Sequence, residues 1–268
     1  MAGDFTYLYG FVPGDAEAPR GIAGIGGSTV RLLDLGSVKA VISAVPADVY
    51  DPDRIDERIQ DLKWVSEQGV AHEGVVAWFV DNSEILPVSL FTMYSTAEAL
   101  KESALPRAAE LTAEIERLRD KREWDLKISF KESEVERHAN TLSARIAQMD
   151  RELAAATPGK RYLLEKKRAE VLKGETRRAA QTLADEAYET LRAHTVAART
   201  LPIPRSGDAL PVILHAAFLV HRRNEPALMQ AFEQEGRRLE RVGVELRFSG
   251  PWAAYRFTGS DERSAESE

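Results

Sequence analysis

The stretch VERHANTLSARIAQMDREL, residues 135–153, sets Val135, Ala139, Leu142, Ile146, Met149 and Leu153 at successive steps of four, three, four, three and four. Steps alternating between three and four return to one side of a 3.6-residue helix, so the spacing predicts a helix with a narrow apolar seam. Thr157-Pro158-Gly159 then stops it and turns the chain. A second long helix is expected over about 161–198, with Leu172, Thr176, Ala179, Leu183, Ala187 and Leu191 again at three/four spacing. Two seams joined by a tight turn predict an antiparallel helical hairpin, a short coiled coil over about 132–198. The seams are thin and alanine-rich, so the hairpin could project from the body.

Strand patterns lie on either side of it. Residues 122–130, REWDLKISF, alternate Trp124, Leu126, Ile128 and Phe130 onto one face. After a Pro/Gly-rich connection over 201–210, residues 212–220 read as an apolar strand. Asn224-Glu225-Pro226 then opens a helix to about 241, and two more strands follow over 244–248 and 253–257. Strand, long helices, strand, helix, strand is the order of a ferredoxin-like layer whose first crossover has grown into a hairpin.

The first 121 residues show a different order. Strands are expected over 5–12, 29–35 and 38–45. A helix capped by Asp51-Pro52-Asp53 buries Ile55, Ile59, Leu62 and Val65, and a further helix covers 72–80. A buried strand follows over 85–93, then a helix from Ser95/Thr96 to about 119. The fold class is thus α+β in two domains: an N-terminal sheet-plus-helices domain over 1–121, with helices on one sheet face, and a ferredoxin-like domain over 122–258 carrying the hairpin. A polar, acidic tail over 259–268 is expected to be disordered.

Composition narrows the function. The 268 residues contain no cysteine, which excludes disulfides, a thiol nucleophile and thiolate zinc sites and agrees with a cytoplasmic location. No secretory signal or membrane-length apolar run is visible. A net charge of −7 argues against nucleic acid as a general partner. The charge is uneven, because residues 121–200 hold 17 Lys/Arg against 13 Asp/Glu, and eight of those bases fall within 160–178.

Several segments together resemble the gas vesicle protein L/F family. They are Tyr7-Leu8-Tyr9-Gly10, residues 33–45 (LDLGSVKAVISAV), the passage from His72 to Pro87 and Met93, Glu123-Trp124-Asp125-Leu126-Lys127, and the closing Gly250-Pro251-Trp252-Ala253-Ala254-Tyr255-Arg256-Phe257. The similarity runs from about residue 5 to 258. Two places depart from the family pattern: no Arg-Phe-Gly follows Pro87, and Ala253-Ala254 replace the usual prolines. The resemblance implies an accessory or minor structural protein of gas vesicle assembly. It also implies partners, namely the small hydrophobic shell protein and other accessory proteins, and a place at the gas vesicle.

No chemistry-bearing constellation competes with that expectation. Gly21-Ile22-Ala23-Gly24-Ile25-Gly26-Gly27 lacks the following helix of a dinucleotide fingerprint and the Lys-Ser/Thr of a phosphate loop, so it reads as a flexible connecting loop. Of five histidines only His215 and His221 are near each other, on one face of a strand, with no third ligand in view. Asp51/Asp53 read as helix caps, and Glu123/Asp125 as outward residues of a strand. Catalytic, metal and cofactor sites are therefore expected to be none, with no nucleic-acid, membrane or small-molecule substrate partner. The candidate protein-binding residues are Trp124, Trp252 and Tyr255, aromatics of the kind that anchor interfaces, and Lys166, Lys167 and Arg168 near the hairpin turn. The alternative class is a ligand-sensing or scaffolding protein using an apolar pocket of such domains.

Overall fold

The computed structural model describes residues 4–203 and 210–259. The expected acidic tail, apart from Gly259, and the middle of the 201–210 connection lie outside the described residues. The chain forms an α+β structure with two antiparallel sheets and one long helix, divided into two compact units. The first comprises Met1–Glu123 with Pro251–Glu268, and the second Trp124–Gly250. Residues from Pro251 onward, read from sequence with the second half, thus belong to the first unit.

In the first unit β1 (Asp4–Pro13), β2 (Arg31–Asp34), β3 (Val38–Pro46), α1 (Ala47–Tyr50), α2 (Pro52–Arg58) and α3 (Leu62–Asn82) precede two short strands. These are β4 (Leu86–Pro87) and β5 (Met93–Tyr94), followed by α4 (Ala97–Ala104) and α5 (Ala108–Leu118). The sheet order is β2-β3-β1-β4, with β5 also on β1. β1 and β3 pair antiparallel, Leu8 opposite Ile42 and Gly10 opposite Val41, so Tyr9 is an extra residue in a bulge. A one-residue bulge reverses the alternation of a strand. Tyr7, Tyr9 and Val12 consequently share one apolar cluster with Val75, Val76 and Phe79 of α3.

Both faces of this sheet are covered, contrary to the expectation of helices on one face. Leu8, Ala40 and Ile42 are buried outside that cluster, and α5 touches β1, β3 and β4 with Leu111, Ile115 and Leu118 buried. Two further expectations change. Ile59 and Leu62 are 41% and 80% exposed, because α2 ends at Arg58 and Asp61 starts a new helix by accepting from the amides of Lys63 and Trp64. The expected strand over 85–93 is interrupted as well. Val88 N donates to Tyr9 and Leu8 N donates to the Thr92 carbonyl, so Ser89–Thr92 loops out as a turn between β4 and β5. Pro106 similarly divides the expected 95–119 helix into α4, a 3-10 turn and α5.

The second unit runs β6 (Lys121–Phe130), α6 (Glu132–Arg137), α7 (Ala139–Leu142), α8 (Ala144–Ala154), α9 (Pro158–Arg192), β7 (Ala197–Thr200), β8 (Val212–His221), α10 (Glu225–Glu240) and β9 (Val244–Trp252). Its sheet order is β7-β8-β6-β9. The first helix of the expected hairpin, carrying the 135–153 seam, is three pieces. Ser143 adopts an extended conformation, accepts from Ile146 N at 3.3 Å to cap α8, and donates to Glu175 Oε2 at 2.8 Å. Val135, Ala139, Ile146 and Met149 of the seam are nonetheless buried. α9 stops at Arg192 rather than near 198, because residues 197–200 are taken by β7, which pairs with β8. β9 continues through Gly250-Pro251, and 255–257 form a 3-10 turn in place of the expected final strand.

Small residues set how closely α9 packs. Ala180, Ala184 and Ala187 are fully buried among Leu126, Ile128 and Phe218, so the helix backbone approaches β8 without side chains intervening. Extra methylenes in such a contact force off-rotamer packing. Ala184→Leu is expected to lower stability by about 1–3 kcal/mol in urea denaturation, whereas the same change at exposed Ala169 should be near neutral.

Candidate functional site

The first unit holds a buried chain of polar groups drawn from three distant parts of the sequence. Tyr7 comes from β1, His72 and Glu73 from the middle of α3, and Tyr255 from the C-terminal turn. Tyr7 OH lies 2.7 Å from His72 Nδ1, and His72 Nε2 lies 3.1 Å from Tyr255 OH. Tyr255 OH donates to Glu73 Oε1 at 2.6 Å, and Phe91 N donates to Tyr7 OH at 3.1 Å. The single Tyr255 hydrogen is on Glu73, so His72 Nε2–H donates to Tyr255. Burial disfavours the imidazolium, and in the neutral ring Nδ1 is unprotonated and accepts from Tyr7 O–H. Burial moves the His72 pKa from 6.5 down to about 4, with the Val88 carbonyl acting weakly in the opposite direction. Burial also raises Tyr7 and Tyr255, the latter further through its bond to Glu73 and that carboxylate's charge.

The glycine loop is fastened to the same cluster rather than free. Ile25 is fully buried, and its amide donates to Tyr9 OH at 2.9 Å; Tyr9 OH donates to Ser43 Oγ at 3.1 Å. A Cβ at Gly24 would overlap the Tyr9 hydroxyl and approach Ser43 Oγ to 2.8 Å. Glycine is needed here for close approach to a side chain.

Two sequence pairs are exchanged in the fold. Glu123 and Asp125 are 1% and 9% exposed, not outward, because β6 is an inner strand covered on both sides. Glu123 is ion-paired with Arg256 and accepts from the Arg256 amide at 2.8 Å. Asp125 Oδ2 faces His215 Nε2 at 2.9 Å, and His215 Nδ1 faces the Pro202 carbonyl at 3.1 Å. His215 is thus matched with Asp125 rather than His221. Among the described residues no group of His, Asp or Glu is arranged to hold a metal ion.

The candidate interface residues scatter. The Trp124 ring stacks on Phe248 at 5.0 Å and its Nε1 donates to Glu225, so it is part of the second unit's own core. Tyr255 is committed to His72 and Glu73. Trp252 is 41% exposed. On α9, Lys166 and Lys167 are exposed, and Arg168 pairs with Asp150 of α8 at 2.5 Å.

No sequence signal pointed to an apolar groove of about 380 Å³ lined by Phe5, Ile55, Asp56, Phe91, Met93, Tyr94 and Ser95. Phe91 sits at φ +65°, a left-handed conformation that costs a bulky residue roughly 1–2 kcal/mol. Its amide bond to Tyr7 and a parallel stack on Trp64 at 5.4 Å hold it there. No periodicity announces a site made by a turn between two-residue strands.

An α+β protein of two antiparallel sheets and a long helix is the class these elements define. The sequence profile described as "Gas vesicle synthesis protein GvpL/GvpF" matches residues 5–259, and the chain belongs to this family. It is 27% identical to gas vesicle protein L of Streptomyces sp. (strain CB03234), over 96% of this chain and 93% of that protein. It is also 27% identical to gas vesicle protein L2 of Halobacterium salinarum, over 87% and 83% of the two chains. The crystal structures of GvpF from Anabaena sp. PCC7120 and from Microcystis aeruginosa share its fold, with TM-scores of 0.66 and 0.67. Each is 17% identical, over 96% of this chain and 97% and 99% of theirs respectively. Family membership ties the protein to gas vesicles. No helix among the described residues is long and apolar enough to cross a membrane.

Two measurements test the buried chain. His72 stays neutral in the folded protein down to about pH 4, whereas the unfolded chain protonates near 6.5. The unfolded state then binds more protons, so this residue's share of stability is complete above pH 6.5 and declines as pH falls toward 4, by about 3 kcal/mol. His72→Gln should flatten that part of the stability–pH curve relative to the parent. Tyr255→Phe strands the Glu73 carboxylate and the His72 N–H, and should cost about 1–3 kcal/mol at pH 7 by urea denaturation.

Proposed function

We propose that the protein is an assembly factor that binds the small hydrophobic shell protein of the gas vesicle, with the first unit as the capturing part and the hairpin-bearing unit engaging other accessory proteins. The observation that carries the reading is the groove of Phe5, Ile55, Phe91, Met93 and Tyr94, held open by a strained turn. Apolar surface extends beyond it onto the α2–α3 connection, where Ile59 and Leu62 stand in solvent and Trp64 stacks on Phe91. Exposed apolar patches of this kind mark binding surfaces for other macromolecules. A hydrophobic segment of the shell subunit has the chemistry to cover it. Family membership supplies the context, and the strand order β7-β8-β6-β9 supports a ferredoxin-like second unit.

The alternative, a sensor of small apolar ligands, would use the same groove, whose volume falls in the range of small-molecule sites. The exposed Ile59 and Leu62 favour the macromolecular reading, because a small ligand in the groove would leave them uncovered.

The test keeps the chain intact, because Tyr255 completes the first unit and a fragment ending near Lys121 would lack it. Immobilised full-length protein should capture purified shell protein, and Met93→Glu/Tyr94→Glu should reduce capture at least about tenfold while the melting temperature stays within a few degrees. Undiminished capture by the folded variant would remove the groove from the proposal; no capture by the parent chain would remove the shell protein as its partner.

A further inference from the structure

The turn between α8 and α9 carries an apolar pair in an unusual electrostatic setting. Tyr162 and Leu163 are 68% and 65% exposed. Lys160, Arg161, Lys166 and Lys167 surround them on the first three turns of α9, with Lys160 and Arg161 in the first, and none makes an ion pair among the described residues. Lys166 is four residues from Tyr162 and Lys167 four from Leu163, which places each cation beside an apolar side chain on the helix surface. The start of α9 has no acidic residue in its first turn and no side-chain cap. Cations at the positive end of a helix are locally unfavourable. Local choices that oppose their own element are expected where a surface serves a partner.

The groove of the first unit has the opposite character. Asp56 lines it, Asp4 and Glu57 adjoin the lining residues Phe5 and Asp56 in sequence, and Glu98 follows the lining Ser95 by three residues. Of the nearby bases, Arg54 donates to the Asp48 carbonyl, and Arg58 lies over the Trp64 ring that stacks on Phe91, so one cation stands beside a mainly acidic rim. The chain outside residues 121–200 carries a net −11, against +4 within them. A cation-ringed apolar pair and an acid-rimmed apolar groove are complementary in charge and in surface type.

We propose that the groove of one copy receives the Tyr162–Leu163 tip of a second copy, so that the protein associates head to tail when no other partner fills the groove. This rests on the reading of the groove as a docking surface and commits its resting occupant to another copy of this chain. Such a contact is heterologous: each copy presents one tip and one groove, and assembly extends past the dimer. Two apolar side chains and a few exposed ion pairs form a small interface, so association is weak and weakens further with salt.

Sedimentation of the full chain tests this without any shell protein. In about 50 mM salt the weight-average mass should rise with concentration up to about 0.1 mM protein, and fall back to the monomer in about 0.5 M salt. Arg161→Glu/Lys166→Glu/Lys167→Glu and Asp56→Lys/Glu57→Lys change exposed positions, and each variant alone should remain monomeric. An equimolar mixture of the two should associate again, because each variant's tip then meets a groove of opposite charge. A parent chain that stays monomeric overturns the proposal, as does a mixture that fails to associate. If only the tip variant loses association, the tip docks elsewhere and the groove assignment is wrong. Shell-protein capture is read separately, so loss of capture with self-association intact counts against the proposed function alone.

Discussion

The hydrogen-bonded chain from Tyr7 through His72 and Tyr255 to Glu73 is the constraint on which the first unit rests. It joins residues 7, 72 and 255, so β1, α3 and the last described turn must be in place together. Tyr7 and His72 are buried and Tyr255 and Glu73 half-buried, and an unmade bond at a buried group costs more than a made one contributes. With His72 kept neutral by burial, Tyr7 donates to its Nδ1 and in turn accepts from the Phe91 amide. The turn that shapes the groove is thereby tied to the same network. Glu123 and Arg256 add a second fastening of the C-terminal segment, in which a carboxylate that is costly to bury is matched by a guanidinium and a backbone amide.

The second unit is governed by closeness instead. Alanines of α9 let a 35-residue helix lie against the sheet, and apolar side chains from β6, β8 and α10 fill the remaining space. Trp124, Phe248 and Phe232 form a stacked series within it. The beginning of α9 takes little part in that core, which leaves Tyr162, Leu163 and their flanking bases for another molecule. Interior and surface functions are thus separated along one helix.

Groove and tip supply two faces with different physical requirements. The groove is apolar and depends on a strained residue, so its affinity comes from burial. The tip is mainly charged, so its contribution is orientation and encounter, sensitive to salt.

The local order of this protein was legible in its residues. Periodicity and capping placed β1, β3, β6, β8 and α10, the Thr157-Pro158-Gly159 turn, and the inward seam of α6–α9. These signals depend on neighbours a few residues apart, which spacing records. Family resemblance rested on motifs that include Tyr7-Leu8-Tyr9-Gly10 and Ala254-Tyr255-Arg256-Phe257, and the same segments carry the buried chain. Other features were decided only by tertiary structure. Glu123 and Asp125 looked outward because alternation cannot reveal that a strand will be covered on both sides. Their partners Arg256 and His215 lie 133 and 90 residues away. The groove required a turn between two short strands, and Phe91 adopts its conformation only because Tyr7 and Trp64 hold it. Pairing across such distances is selected by which polar groups remain unsatisfied once the apolar surfaces have closed, and that is a property of the packed chain.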